Sequence, residues 1–220
     1  MKILIGCEES QTICKAFRER GFEAYSCDLQ ECSGGYIEWH LQMDIFQAVK
    51  KIKPDVLIAH PPCTYLSYAG ARWFNVHKYG EKAIERIKKM NESVFFFLKI
   101  WNLNIKYICI ENPRGFITTF LKPTQTIQPY FFGDETSKTT LLWLKGLPAL
   151  KHHKDAGLFD IKTHVSKGKM CSAGSELLFG THTFSLSQKE RSKLRSKTFP
   201  GIAKAMAEQW GNFLLTNNYD

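Results

Sequence analysis

The first half of the chain alternates short apolar runs with longer stretches in which apolar residues recur at helical spacing. A weaker strand is expected near residues 36–40, and four apolar runs predict further strands at residues 2–6, 23–27, 56–59 and 107–110. Three amphipathic stretches predict helices at residues 10–20, 45–52 and 81–101. Strands separated by helices of this length are typical of parallel βαβ units. The pattern therefore predicts an α/β fold with a doubly wound, mostly parallel sheet.

The pattern changes after Pro113. Residues 124–132 and 139–144 predict two strands joined through the turn dipeptide Gly133-Asp134. Residues 145–197 follow no clear period, and a last amphipathic stretch predicts a helix at residues 201–215. We therefore expect one domain built from residues 1–145 and 196–220, with residues 146–195 forming a small insertion or a reduced recognition region.

Composition places the chain among ordinary soluble proteins of one domain. It has 220 residues, of which 44% are hydrophobic and 23% charged. No run approaches the ~20 apolar residues of a membrane helix, and no signal peptide precedes the first strand, so no membrane partner is expected. Lys and Arg number 30 against 21 Asp and Glu, which gives a net charge of +9 and suits a polyanionic partner.

The seven cysteines form an odd set without a Cys-x-x-Cys pair, so neither a zinc site nor a redox pair is predicted. Most lie in apolar runs and are expected to act as small core residues in a reduced, cytoplasmic protein. The remaining candidate ligands match no zinc spacing, and no metal is expected; they are His152, His153, His164 and Cys171.

Ligands of open α/β sheets bind at the carboxyl ends of the strands, so the residues that follow each strand are candidates. Residues 6–10 (Gly-Cys-Glu-Glu-Ser) follow the first strand, and a single glycine there disfavours a phosphate-bearing cofactor. A cofactor without phosphate stays possible. Asp28 ends the second strand, where it is either a ligand for a ribose diol or a plain turn residue.

Two further strand ends carry reactive groups. Pro61-Pro62-Cys63 follows strand 56–59, where two prolines hold the backbone rigid, and Cys63 is either a nucleophile or a buried structural cysteine. Glu111 follows strand 107–110, where it is either a proton donor with a raised pKa or a helix-start acid. The helix between the two strands is expected to bring Cys63 and Glu111 side by side.

Pro61-Pro62-Cys63 and Glu111-Asn112-Pro113, each after a strand, resemble the paired signatures of the DNA cytosine-5 methyltransferases. Other segments are similar to the family's in the same order. Residues 6–10 resemble its S-adenosylmethionine loop, residues 131–142 the segment with its basic DNA contact, and residues 198–210 its closing helix. The sequence Phe-Pro-Gly-Ile-Ala near the end is similar to that of short, phage-type members, for which a bacterial host's cytoplasm is expected.

The resemblance implies a Rossmann-like methyltransferase that binds S-adenosylmethionine and DNA, with a monomer favoured. The Cys63 thiolate would add to C6 of a flipped cytosine, Glu111 would hold or protonate N3, and Arg114 would bind the base carbonyl. The residues implied to bind the cofactor are Gly6, Cys7, Glu8, Glu9, Ser10, Asp28, Asp44 and Pro61. Those implied to bind the substrate are Pro62, Asn112, Pro113 and Lys138.

The chain departs from the family's pattern at several positions. His60 stands where the family has a small residue, Thr64 stands where Gln or Ser often follows the cysteine, and the Gln-x-Arg-x-Arg segment is absent. Residues 145–197 are few for reading several base pairs, which indicates short or relaxed sequence recognition. Two alternatives stay open: the same cysteine chemistry on a free pyrimidine nucleotide or RNA, and a non-catalytic DNA-binding relative.

Overall fold

A computed structural model of the chain describes residues 1–152, 169–170, 177–178, 181–182, 187, 190, 194 and 196–217. Its centre is a seven-stranded sheet in the order β3-β2-β1-β4-β5-β8-β6. The first five strands in chain order are β1 (Lys2–Gly6), β2 (Glu23–Asp28), β3 (His40–Gln42), β4 (Val56–Ala59) and β5 (Tyr107–Pro113). They are followed by β6 (Gln125–Ile127), the short β7 (Thr136–Ser137) and β8 (Thr140–Lys145).

Strands β1 to β5 are parallel, and the strand order reverses direction between β1 and β4. Strand β8 runs antiparallel between β5 and β6 and pairs with both. Among the described residues, four two-residue strands lie outside the large sheet: β7 pairs with β9 (Lys169–Met170), and β10 (Leu177–Leu178) forms a hairpin with β11 (Thr181–His182). The predicted α/β fold with a doubly wound, mostly parallel sheet of Rossmann-like order is therefore confirmed.

Helices cover both faces of the sheet because alternate strand residues point to opposite sides. Helices α1 (Thr12–Glu19) and α5 (Pro200–Thr216) pack on the face that carries Ile3 and Ile5. Helices α2 (Ile45–Ile52) and α4 (Glu81–Trp101) pack on the face that carries Leu4, and the short α3 (Val76–Tyr79) precedes α4. None of the described helices is long and apolar enough to cross a membrane.

Helix α5 is fixed to the loop before β7 by its first residues. The backbone N–H of Gly201 donates to Oδ2 of Asp134 at 2.9 Å, and a Cβ at Gly201 would collide with the carbonyl oxygen of Phe132. Glycine is required there because backbone approaches backbone. Farther along, Trp210 is fully buried and donates from Nε1 to the carbonyl of Pro148 at 2.9 Å.

Several predicted elements differ from the observed ones. Strand β5 continues from the predicted end at residue 110 to Pro113, so Glu111 lies within a strand and its interpretation as a helix-start acid is wrong. The strand expected near residues 36–40 is wrong for most of its length, because Ile37–Trp39 form a 3-10 turn in which Tyr36 stacks on Trp39, and β3 begins at His40. The strand expected at residues 124–132 is shorter than predicted, because Pro129–Phe132 form a second 3-10 turn. The predicted insertion 146–195 lies largely outside the described residues, as do His153, His164 and Cys171.

Candidate active site

The candidate site lies at the carboxyl ends of β4 and β5, next to the point where the strand order reverses. Ala59 at the end of β4 pairs in register with Ile110 of β5, so the next residues, His60 and Glu111, lie side by side. The backbone N–H of His60 also donates to the carbonyl of Gly6 at 2.9 Å, which attaches the start of this loop to β1. Clefts at such reversals are the usual ligand sites of open α/β sheets.

A buried amide fixes the loop that carries the cysteine. Asn112 is 1% exposed and donates from Nδ2 to the carbonyl oxygen of Pro61 at 2.8 Å. Because Pro61 is buried and Pro62 restricts the next backbone torsion, the path of the chain into Cys63 is constrained. The side chain of Asn112, predicted from the resemblance to bind substrate, here holds the Pro61 loop against β5.

Cys63 is exposed, unlike the buried Cys14, Cys27 and Cys109. Its carbonyl accepts the backbone N–H groups of Leu66 and Ser67 at 3.1 and 2.9 Å, so the residues after it form a tight turn. The structural-cysteine interpretation requires burial and is therefore wrong for Cys63. An exposed thiol on a constrained loop has the access that a nucleophile needs.

The turn after Cys63 is also joined to the chain that leaves β5. Phe116 donates from its backbone N–H to the carbonyl of Leu66 at 2.7 Å, and Ser67 bridges Gly115. A Cβ at Gly115 would collide with that same Leu66 carbonyl, so the two segments meet backbone to backbone. Arg114, the candidate for the base carbonyl, is exposed next to this contact.

Glu111 is part-buried and bonded to a histidine. Oε2 of Glu111 lies 3.2 Å from Nδ1 of His60, and the two side chains are 18% and 8% exposed. Burial alone would raise the pKa of Glu111, but the His60 hydrogen bond and the positive charges of Lys138 and His60 together lower it. The raised pKa expected from the sequence is therefore wrong, because it took no account of these partners.

Glu111 lines a cleft between the end of β5 and the start of α5. Lys138 lies on the same cleft, with its ammonium 5.6 Å from the centre of the Phe199 ring. The other lining residues are Thr140, Ser196, Lys197, Thr198, Ile202 and Met206. The cleft combines an acid, two lysines and an apolar wall around a volume of about 10 Å³.

The turn between β1 and α1 uses most of its predicted cofactor-binding groups internally. Glu8 is 3% exposed, and its carboxylate accepts the backbone N–H groups of Ile13 and Cys14 at 2.7 and 3.2 Å. In dinucleotide-binding proteins the N-terminus of this helix binds a pyrophosphate. Here the protein's own carboxylate occupies that position and would repel an anion, so the site fits a cofactor without phosphate.

Glu9 and Ser10, also predicted to bind the cofactor, make hydrogen bonds within the protein as well. The backbone carbonyl of Glu9 accepts the N–H of Ser33 at 2.8 Å, and Ser10 exchanges a hydroxyl hydrogen bond with Thr12 at 3.1 Å. A Cβ at Gly6 would collide with Ile45, so this glycine is required for the packing of α2.

Asp28 and Asp44 both lie near Cys7. Burial raises the pKa of the Cys7 thiol, and the charges of Asp28 and Asp44 raise it further, which places both carboxylates near this thiol. One oxygen of Asp28 accepts the N–H of Gln30 at 2.8 Å, and one oxygen of Asp44 caps α2 by accepting from Phe46 at 2.8 Å. These two acids at adjacent strand ends are suited to accept hydrogen bonds from the hydroxyls and amino group of a nucleoside.

The contact between His60 and Glu111, which are 51 positions apart, was not predicted from the sequence. The position of His60 directly after a buried strand could have indicated a partner on the next strand. Pro61 and Pro62, which follow it, instead favoured the prediction of a simple turn. No cluster of three metal-ligating side chains occurs within the part of the chain that the structure describes, where His152 stacks on Phe131 at 4.2 Å.

No protein-family model matches the chain, and no curated protein matches its sequence. Among solved structures, the chain is similar to the Dnmt2 methyltransferase of S. pombe (13% identity, TM-score 0.41, covering 68% of this chain and 51% of that one). It is also similar to a mutant of Spodoptera frugiperda DNMT2 (20% identity, TM-score 0.39, covering 66% of this chain and 50% of that one). A third similar structure is the Entamoeba histolytica methyltransferase EhMeth (10% identity, TM-score 0.44, covering 76% of this chain and 57% of that one). The chain thus spans about half the length of the solved structures it matches.

Proposed function

We propose that this protein transfers a methyl group from S-adenosylmethionine to carbon 5 of cytosine in DNA through a covalent cysteine adduct. The observation that carries the proposal is the exposed Cys63 on a loop that the Asn112–Pro61 hydrogen bond fixes beside Glu111. An accessible thiol and a carboxyl group at the ends of neighbouring strands are the pair that addition to a pyrimidine requires. The resemblance of both motifs to the DNA cytosine-5 methyltransferases supports the same reaction.

Cys63, Glu111 and Arg114 have separate roles in the proposed reaction. The Cys63 thiolate adds to C6 of the ring, the electron pair of the C5–C6 double bond moves to C5, and N3 takes a proton by way of Glu111. C5 then takes the methyl group, a base removes the C5 proton, and the returning electron pair expels Cys63 as a thiolate. Arg114 is placed to bind the base carbonyl as negative charge develops on the ring.

The methyl donor is the cofactor, which when bound supplies an electrophilic methyl group on a sulfonium. Asp28 and Asp44 would hold the nucleoside part, and Glu8 disfavours a phosphate-bearing alternative by occupying the N-terminus of α1. Gly6 and Pro61 would complete the cofactor site, because the hydrogen bond from the N–H of His60 to the Gly6 carbonyl joins the two loops that carry them. The donor's charge also suits an acidic surrounding.

DNA is the proposed substrate because of the charge of the chain and the cleft. The net charge is +9, and Lys138 and Lys197 lie on the cleft that Glu111 lines. Neutralising phosphates with lysines supplies sequence-independent affinity. A base must leave the duplex stack to reach Cys63. Residues 146–195 provide few groups for reading base edges, so we propose short or relaxed sequence specificity.

A trapping experiment tests the covalent step. DNA that contains 5-fluorocytosine is incubated with the protein and S-adenosylmethionine, and the mass of the protein–DNA conjugate is measured. Because fluorine at C5 cannot leave as a proton, the Cys63 adduct accumulates in the wild-type protein. The Cys63→Ala variant should form no conjugate, whereas Cys32→Ala should form it normally. A conjugate in Cys63→Ala, or none in the wild-type protein, would overturn the proposal.

A further inference from the structure

His60 is held by two hydrogen bonds in the candidate site, one from its backbone and one from its ring. Its backbone is bonded to Gly6, its imidazole is 8% exposed, and its Nδ1 lies 3.2 Å from Oε2 of Glu111. The position between a buried strand and two prolines leaves the ring little freedom. A buried imidazole bonded to a carboxylate is the arrangement by which proteins fix where the ring's proton lies.

The second ring nitrogen of His60 is a buried polar atom without a hydrogen-bond partner among the described residues. Such an atom is rare in folded proteins, because leaving it unpaired costs free energy. Of the two ring nitrogens, Nδ1 is the one with a hydrogen-bond partner among the described residues, namely Oε2 of Glu111.

The charged groups that face this pair come from several elements. Glu8 faces it from the β1–α1 turn, since the His60 charge lowers the pKa of Glu8 against the larger effect of burial, which raises it. Lys138 faces Glu111 from the segment before β8, and the buried Cys109 lies behind Glu111 on β5. One imidazole is thus placed between two carboxyl groups, with one lysine near the second.

We infer that His60 is a positioning residue that holds a proton together with Glu111 and supplies it when N3 of the substrate base is protonated. The inference rests on the proposed function. As the Cys63–C6 bond forms, the proton on Nδ1 passes to Glu111 and from Glu111 to N3, which leaves His60 neutral and the adduct uncharged. After methyl transfer the proton returns from N3 to the pair, and loss of the C5 proton to solvent then releases Cys63.

The inference explains how Glu111 assists the reaction although its partners favour the ionised carboxylate. A lone ionised carboxylate has no proton to give, whereas a carboxylate bonded to a protonated imidazole has one within a single hydrogen bond. Glu111 alone touches the base in this scheme, and His60 acts through it.

Single-turnover methyl transfer to DNA tests the inference in four proteins: wild type, His60→Ala, His60→Asn and His77→Asn. Asn at position 60 keeps an N–H donor near Nδ1 but holds no transferable proton, and His77 is an exposed histidine that serves as the control. Both His60 variants should be slower by about 100-fold, the usual contribution of positioned acid–base groups. The His77→Asn variant should transfer the methyl group at the wild-type rate.

Nitrogen-15 NMR of the free wild-type protein provides a readout that does not depend on activity. The expected spectrum shows His60 protonated on both ring nitrogens, because only such a ring is left neutral after it gives up the Nδ1 proton. A rate in His60→Asn restored to the wild-type value, or an unprotonated Nδ1, would overturn the inference. A wild-type protein that transfers no methyl group would contradict the proposed function and this use of the proton, while the NMR signal would still decide whether His60 carries it.

Discussion

Replacing Asn112 by Asp should make stability depend on pH, because the buried amide holds the Pro61 carbonyl. Asn112 is 1% exposed and donates to that carbonyl at 2.8 Å. A protonated Asp can make the same donation, whereas an ionised Asp cannot and would place a second charge beside Glu111. Burial therefore raises the folded-state pKa of the new carboxyl above its unfolded value of about 3.9.

The size of the effect follows from the lost bond. Leaving a buried carbonyl unpaired costs roughly 1–3 kcal/mol, and each unit by which the folded pKa is raised costs about 1.4 kcal/mol once the group is ionised. Because the folded-state pKa of the new carboxyl group is raised, its contribution to the free energy of unfolding is present below the unfolded-state pKa. That contribution is lost as pH rises through the folded-state pKa. Asn112→Asp should thus be less stable relative to wild type at high pH than at low pH.

Urea unfolding at about pH 5 and about pH 8, followed by tryptophan fluorescence, measures this difference. Asn102→Asp is the matched control, because Asn102 also donates an amide N–H to a carbonyl, that of Leu98 at 2.9 Å, but is exposed. Its carboxyl stays ionised at both pH values, so its effect should be the same at each. An equal loss of stability at both pH values for Asn112→Asp would refute the reasoning.

Three further outcomes are expected. Gly201→Ala should destabilise the fold by roughly 1–3 kcal/mol in urea unfolding, because its Cβ meets the Phe132 backbone, whereas Gly211→Ala meets mainly the Phe22 and Arg20 side chains and should cost less. Burial raises the folded-state pKa of Glu8, and His60 and the α1 N–H groups offset part of this effect, so the stabilising contribution of Glu8 is lost as pH rises. The stability of Glu8→Gln relative to wild type should therefore increase from low to high pH. A difference in unfolding free energy that is the same at both pH values would contradict this. DNA methylation should fall steeply between about 50 and 200 mM salt, whereas a shallow slope would favour a mononucleotide substrate.

The elements that sequence predicts best are those whose apolar spacing alone determines packing. Val56–Ala59, Ile45–Ile52 and Glu81–Trp101 have the predicted bounds, because each buries a continuous run or one helical face. The strand expected near Tyr36 is displaced to His40–Gln42 by a stacked aromatic pair that no periodicity encodes.

The sequence indicates which strands precede Cys63 and Glu111, but it does not predict the charged groups that surround Glu111. Strand ends identify Cys63 and Glu111, because parallel strands bring their carboxyl ends to one edge. The direction of the Glu111 pKa depends on His60 and Lys138, which reach it only through the pairing of β4 with β5 and of β5 with β8. Long-range pairing of this kind cannot be read from local spacing.

The most direct test of the central claim is transfer of labelled methyl from S-adenosylmethionine to unmethylated DNA, followed by mass spectrometry of the nucleosides. We expect 5-methylcytosine with the wild-type protein and with Cys32→Ala, and no 5-methylcytosine with Cys63→Ala. Methylation that persists in Cys63→Ala would contradict the covalent mechanism, and the absence of 5-methylcytosine with the wild-type protein would contradict the proposed activity on DNA.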